Sequence, residues 1–220
     1  MARAWVQFER LDVDDMALTA IIGADERARA DRFRFPRDRR RFVVRRARLR
    51  QLLGAWVGRT PETLVFTENS HGKPILAGGP PFSLSYSADM MMLAIGDADV
   101  GCDVEWIDPA LDWSPLAETF FTRTERAALA ALPPAAARRA FFACWARKEA
   151  FVKALGLGLS YPLDAFDVSV SGTAELMSGG EGWALGDAPA IPGYATAIVA
   201  GDDSAPLVVM PMVIPQRAAA

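Results

Sequence analysis

Apolar side chains return with helical spacing at Phe42, Leu49, Leu53 and Trp56 across residues 37–57, with Pro36 placed to open a helix and Gly58 to close it. Arg41, Arg45 and Arg48 share another face of that helix. Strand-like runs follow at 63–67, 82–87 and 91–96, separated by the turn formers His71-Gly72-Lys73-Pro74 and Gly78-Gly79-Pro80-Pro81. A second cycle places a strand at 100–107, helices at 114–121, 123–132 and 135–155, and strands at 166–170, 194–200 and 207–213. Helix followed by three strands thus occurs twice, although the halves carry no residue-level repeat. The pattern predicts an α+β fold of two similar α/β-type subdomains, residues 1–99 and 100–220, related by a pseudo-twofold duplication. In each, a helix packs on a small, mostly antiparallel sheet. No low-complexity linker separates the halves, so they are expected to share an interface.

With 51% hydrophobic and 23% charged residues in 220, the composition is that of a globular protein and argues against disorder or fibrous structure. That length buries enough apolar surface to need no disulfide or structural metal. Cys102 and Cys144 lie in apolar stretches without a Cys-x-x-Cys pattern, and no leader-like run opens the chain, so reduced thiols in a cytoplasmic protein are expected. The runs at 90–95 and 194–200 fall short of the roughly 18 apolar residues of a membrane span.

The net charge of −3 hides an asymmetry: twelve of the 24 basic residues lie between Arg27 and Arg50. Such a cluster is either a solvated basic face or a site for an anionic partner. No aromatic-basic interleaving or zinc spacing accompanies it, so nucleic acid is not expected. The chain also has 21 arginines and only three lysines, Lys73, Lys148 and Lys153. A retained lysine marks a place for a compact ammonium that can exchange a proton, which guanidinium cannot do.

Within 100–106, alternation puts Asp103 and Glu105 on one strand face and Val104 on the other. Two neighbouring carboxylates either sit on an exposed face or share a hard cation such as Mg²⁺, which uses one or two carboxylates together with substrate phosphates. Trp145, Glu149 and Lys153 recur every four residues and line one helix face. That is either an exposed ion pair or, since Trp145 shares the face, part of a half-buried site.

In chain order, Gly72-Lys73-Pro74, Phe82-Ser83-Leu84-Ser85, Val100-Gly101-Cys102-Asp103-Val104-Glu105 and Trp145-Ala146-Arg147-Lys148-Glu149-Ala150-Phe151-Val152-Lys153 resemble the signatures of Sfp-type 4'-phosphopantetheinyl transferases. The resemblance covers about residues 29–170. It implies transfer of the phosphopantetheine arm of coenzyme A to a serine of an acyl or peptidyl carrier protein, with release of 3',5'-ADP. Carried over by position, Asp103, Glu105 and Glu149 resemble Mg²⁺ ligands, and Glu149 also the general base for the carrier serine. Lys153 resembles the lysine that contacts the phosphates and protonates the leaving group. Lys73 and Pro74 resemble the loop at the adenosine end, Ser85 a phosphate contact, and Arg41, assisted by Arg29 or Arg32, the grip on the 3'-phosphate. Coenzyme A elements thus fall to residues 1–99, metal and catalytic elements to 100–220, and the active site to the cleft between.

One departure stands out: Tyr86 follows Ser85, where the best-known members have a histidine that contacts phosphate. Tyrosine donates a hydrogen bond but brings no positive charge. His71 reads as a solvated loop residue. Residues 156–163 leave the helix after Gly156, either as core packing or, by the resemblance, as part of the carrier dock, and Arg147 is expected to be exposed and to meet an acidic carrier. The expected protein is a monomer that meets its carrier transiently. Two other readings stay open: a Mg²⁺-dependent nucleotide phosphoesterase using the same carboxylates, and a catalytically impaired protein that binds coenzyme A or carrier.

Overall fold

The structure, a computed structural model, describes residues 2–201 and 206–213. Its two longest helices, α2 (Pro36–Val57) and α5 (Pro134–Leu155), have the same construction. Each opens on a proline that needs no amide partner and ends at a glycine in the left-handed region, Gly58 and Gly156, both at φ 70°.

The first sheet orders β11 (Val208–Pro211), β1 (Arg3–Arg10), β5 (Met90–Gly96) and β4 (Phe82–Ser87). All pairings are antiparallel except β1 with β11. The second sheet orders β6 (Val100–Trp106), β10 (Tyr194–Gly201) and β9 (Trp183–Gly186), all antiparallel. β2 (Phe66–Glu68) pairs with β3 (Pro74–Leu76), and β7 (Asp167–Val168) with β8 (Leu176–Ser178). The fold is α+β and mostly antiparallel, as expected. The last strand lies beside β1 rather than in the second sheet. Residues 61–63 form a 3₁₀ turn ahead of β2, because Pro61 favours that start over an extended run.

Three apolar clusters follow from strand alternation. Met91, Leu93 and Ile95 of β5 face α2, where Phe42, Val43, Leu49 and Leu53 are buried. Met90, Met92 and Ala94 point the other way and meet Val100, Cys102 and Val104 of β6 and Ile198 of β10. β5 is therefore covered on both faces, which is why its sequence is an unbroken apolar run. Behind β6 and β10, Phe141 and Phe151 of α5 lie in one cluster with Ala195, Ala197 and Val199 of β10. Among the described residues no helix is long and apolar enough to cross a membrane.

The spacing between β6 and α5 depends on one residue. A Cβ at Gly101 would stand 2.0 Å from the Ala150 carbonyl oxygen and 2.3 Å from the Ala154 nitrogen, both on helix backbone. Ala150, Ala154 and Ala197 keep the surrounding surface equally shallow. The helix therefore rides close enough for short side chains on β6 to reach it. Gly101→Ala should destabilise the fold by about 1–3 kcal/mol, since the added methyl has no flexible neighbour to displace. Urea unfolding of the variant against the parent checks this, and an unchanged midpoint would contradict the packing argument.

Candidate active site

β6 and β4 are edge strands of different sheets that run side by side, and among the described residues they share no ladder pairing. Serine hydroxyls join them instead. Ser83 Oγ accepts from the Cys102 amide at 3.0 Å, and Ser85 Oγ donates to Asp103 Oδ1 at 2.7 Å. Ser87 Oγ bonds Glu105 Oε2 at 2.8 Å. From the other side α5 supplies Lys153, whose ammonium donates to Asp103 Oδ1 at 2.6 Å and to Ser85 Oγ at 3.0 Å. Glu149 precedes Lys153 by one helical turn and shares its field.

Asp103 is 1% exposed, and its second oxygen, Oδ2, is buried with no partner among the described residues. A buried carboxylate oxygen without a donor is costly, and a hard cation is the ligand that would satisfy it. Burial and the neighbouring Asp103 charge push Glu105 up to about 7, with Glu149 adding to the repulsion against Ser87 and Lys153. Burial also raises Glu149, and Asp103 adds to this against the attraction of Lys153. For Lys153, burial favours the neutral amine, but Asp103 outweighs it and holds the ammonium above its ordinary range. Three carboxylates thus face one ammonium. Among the described residues no three His, Cys, Asp or Glu side chains close a metal cage by themselves. A Mg²⁺ that takes its remaining ligands from water and substrate phosphate does not require one.

The loop expected at the adenosine end is tied to α5. Asn69 Oδ1 accepts from the His71 and Lys73 amides, and its Nδ2 donates to the Gly156 carbonyl at 2.7 Å. The Lys73 ammonium donates to the carbonyls of Val100 and Ala154, and burial lowers its pKa against the pull of Asp99. Lys73 and Pro74 line a cavity of about 220 Å³ that reaches Lys153. His71 is exposed and enters the hydrogen bonds of this loop only through its backbone.

Tyr86 points to the opposite face of β4 from Ser85. The Arg45 guanidinium lies over its ring, 3.6 Å from the centroid. Arg45, Tyr86, Phe42 and Arg29 line two adjoining cavities of about 500 and 460 Å³, with Pro74 in the first and Arg41 in the second. Arg41 also reaches Asp12 at 3.4 Å. Arg32 lines none of these cavities. Arg46 and Arg50 are committed to the buried Glu26. Arg45 was visible in the sequence only as one of three arginines on a helix face, and its place over Tyr86 depends on the sheet under α2.

Arg147 departs from expectation: it is 4% exposed, not open to a carrier. Its guanidinium donates to Ser169 O at 2.7 Å, Ser169 Oγ at 3.0 Å, Gly172 O at 2.8 Å and Asp187 Oδ1 at 3.2 Å. Arginine's fork suits gathering loop carbonyls as well as it suits an exposed contact. Lys148 is wholly buried and donates to Leu163 O, Phe166 O and Glu125 Oε1, so each of its three N–H bonds has an acceptor.

Fold and site together define an α+β protein with an acidic, lysine-bearing cleft between a strand edge and a helix, flanked by arginine-lined cavities. A model of the 4'-phosphopantetheinyl transferase superfamily matches residues 99–188, the segment that carries Asp103, Glu105, Glu149 and Lys153. The 4'-phosphopantetheinyl transferase HetI of Nostoc sp. (strain PCC 7120) is 37% identical over 162 residues, which cover 71% of this chain and 68% of that protein. The 4'-phosphopantetheinyl transferase psf-1 of Bacillus pumilus is 35% identical, over 70% of this chain and 66% of its own length. Sfp of Bacillus subtilis (strain 168) is 28% identical, over 68% and 66%. The chain belongs to the 4'-phosphopantetheinyl transferase superfamily and is a transferase of that type.

Because burial, with repulsion from Asp103 behind it, raises its pKa, ionised Glu105 works against folding. Its carboxyl favours the folded state below the unfolded pKa near 4.5, and that contribution is lost as pH rises through about 7. In chelator at pH 8, Glu105→Gln should therefore be more stable than the parent by roughly 1–3 kcal/mol, and the gain should vanish near pH 4. Urea midpoints at the two pH values measure it, and equal stability at pH 8 would contradict the cost of ionising Glu105 in the folded protein.

Proposed function

We propose that this transferase moves the 4'-phosphopantetheine arm of coenzyme A onto a serine hydroxyl of an apo acyl or peptidyl carrier protein of acidic character, releasing 3',5'-ADP, with Mg²⁺ as cofactor. The observation that carries the reading is the convergence of Asp103 and Glu105 from β6 with Glu149 and Lys153 from α5, with Asp103 Oδ2 buried and without a donor. Asp103, Glu105 and Glu149 would hold the cation, which when bound neutralises charge on the pyrophosphate under attack.

Glu149 has no hydrogen-bond or salt-bridge partner among the described residues, and its raised pKa suits it to accept the proton of the carrier serine. The serine oxygen then bonds to the phosphorus that carries the pantetheine arm, and the bond from that phosphorus to the bridging oxygen breaks. The leaving 3',5'-ADP takes the bonding pair. Lys153, held protonated by Asp103, is positioned to give that phosphate a hydrogen bond or a proton. Lys73 and Pro74 border the adenosine side, and Ser85 acts through Asp103 and Lys153, which already occupy its hydroxyl.

Arg29, Arg41 and Arg45 face the adjoining cavities, where they would receive the 3'-phosphate. Arg45 over Tyr86 supplies the positive charge that the histidine brings in better-known members. Residues 1–99 supply the coenzyme A-binding elements and residues 100–220 the metal ligands and base, in a cytoplasmic monomer.

Intact-mass analysis of an apo carrier incubated with the protein, coenzyme A and Mg²⁺ should show a gain of about 340 Da. The gain should disappear with EDTA and with Glu149→Gln. No gain on carriers from several pathways would overturn the reading. Arg45→Ala should raise the KM for coenzyme A about tenfold with kcat changed far less, since a charge-assisted phosphate contact of about 1.5 kcal/mol or more is lost from ground and transition states alike. Steady-state kinetics with varied coenzyme A reads that split, and an unchanged KM would remove Arg45 from the site.

A further inference from the structure

Ser87 belongs to none of the motifs that carried the family resemblance, yet its hydroxyl is fully determined. A serine hydroxyl has one proton to give and lone pairs to receive with. The Trp106 amide donates to Ser87 Oγ at 3.0 Å, so the hydroxyl proton is directed to its other neighbour, Glu105 Oε2, at 2.8 Å. Two positions earlier, Lys153 donates to Ser85 Oγ, which directs that proton to Asp103 Oδ1. Each carboxylate on β6 is thus met by one hydroxyl of β4, and each hydroxyl is held in orientation by a donor that cannot accept.

The two carboxylates are not held equally. Asp103 is buried and also bound by Lys153, whereas Glu105 is half-buried and longer. Asp103 and Glu149 both repel it. Among the described residues, Ser87 is the one hydrogen-bond partner of the Glu105 carboxylate. Repulsion favours swinging that side chain outward to water, and Ser87 opposes the swing.

We infer that Ser87 is a positioning residue that keeps Glu105 turned toward Asp103 and so prepares the site for its divalent cation. The inference rests on the metal reading above. Partners that orient a ligand typically change metal affinity by about 10–100-fold when removed.

The test measures binding of Mn²⁺ alone, followed by the electron paramagnetic resonance signal of the free ion, with Mg²⁺ as competitor and no coenzyme A or carrier present. The proteins compared are the parent, Ser87→Ala, Ser87→Thr and Glu105→Gln, each with a thermal melt. Ser87→Ala should bind Mn²⁺ about tenfold more weakly, while Ser87→Thr, which keeps the hydroxyl, should stay within about twofold of the parent. Should Ser87→Ala melt too early to titrate, Ser87→Cys takes its place and should fall between the parent and Glu105→Gln. If Glu105→Gln loses affinity while the alanine or cysteine variant binds as the parent does, Ser87 has no positioning role. If the parent shows no saturable binding, or Glu105→Gln binds as well as it does, the metal reading itself fails and this inference falls with it.

Discussion

The close approach of a strand edge to a helix over Gly101 is the constraint on which the rest of the molecule depends. With any side chain there, β6 would stand off from α5, and an aspartate on the strand could not reach a lysine on the helix at 2.6 Å. The alanines around Gly101 extend the same economy of volume. Small residues pack where chemistry has to converge, and the large aromatics of the second half, Phe141, Phe151 and Phe166, gather where α5 meets the segments around it. Rigidity and reach are thus provided by different parts of one helix.

Against that rigid frame the cleft is electrostatically unbalanced. Burial and the Asp103 charge raise the proton affinity of Glu105 and Glu149, and a single ammonium does not offset them. Proteins commonly concentrate such tension at functional sites and stabilise the fold elsewhere. The buried Lys148–Glu125 pair shows the opposite arrangement, with every polar atom partnered. It is fully hydrogen-bonded, and it fixes the segment after α5 through Leu163 and Phe166. The adjacent residues Lys148 and Glu149 therefore do opposite work, one closing the core and the other facing the cleft.

Much of this was legible in the residues. The ends of both long helices follow from Pro36, Gly58 and Gly156, and β4 was bounded as the chain folds it, because proline, glycine and strict alternation are local signals. β1 is not legible in the sequence, since Arg3, Gln7, Glu9 and Arg10 interrupt its apolar positions and only pairing with β5 supplies its reason to be extended. The short helix α1 (Ala24–Ala30) and the strands β3, β8 and β9 are hidden in the sequence for a similar cause. The burial of Arg147 cannot be read from the sequence, because helical spacing gives a face but not what covers it, and the loops that take its guanidinium lie more than twenty residues away. The alternation of Ser83, Ser85 and Ser87 was readable, but its use depends on β6 lying alongside, a fact of tertiary structure.

The parallel pairing of β11 with β1 has a consequence for how the protein is made. During synthesis β1 leaves the ribosome well before β5, which can pair with one of its edges once residue 96 has emerged. Its other edge has to wait until residues 208–211 are translated. Through that interval a strand edge with free amides and carbonyls faces the cell, the kind of surface on which chains aggregate or recruit chaperones. The first sheet is thus begun before the second and completed after it. Yield on expression should respond to residues 208–211 out of proportion to their small share of the core.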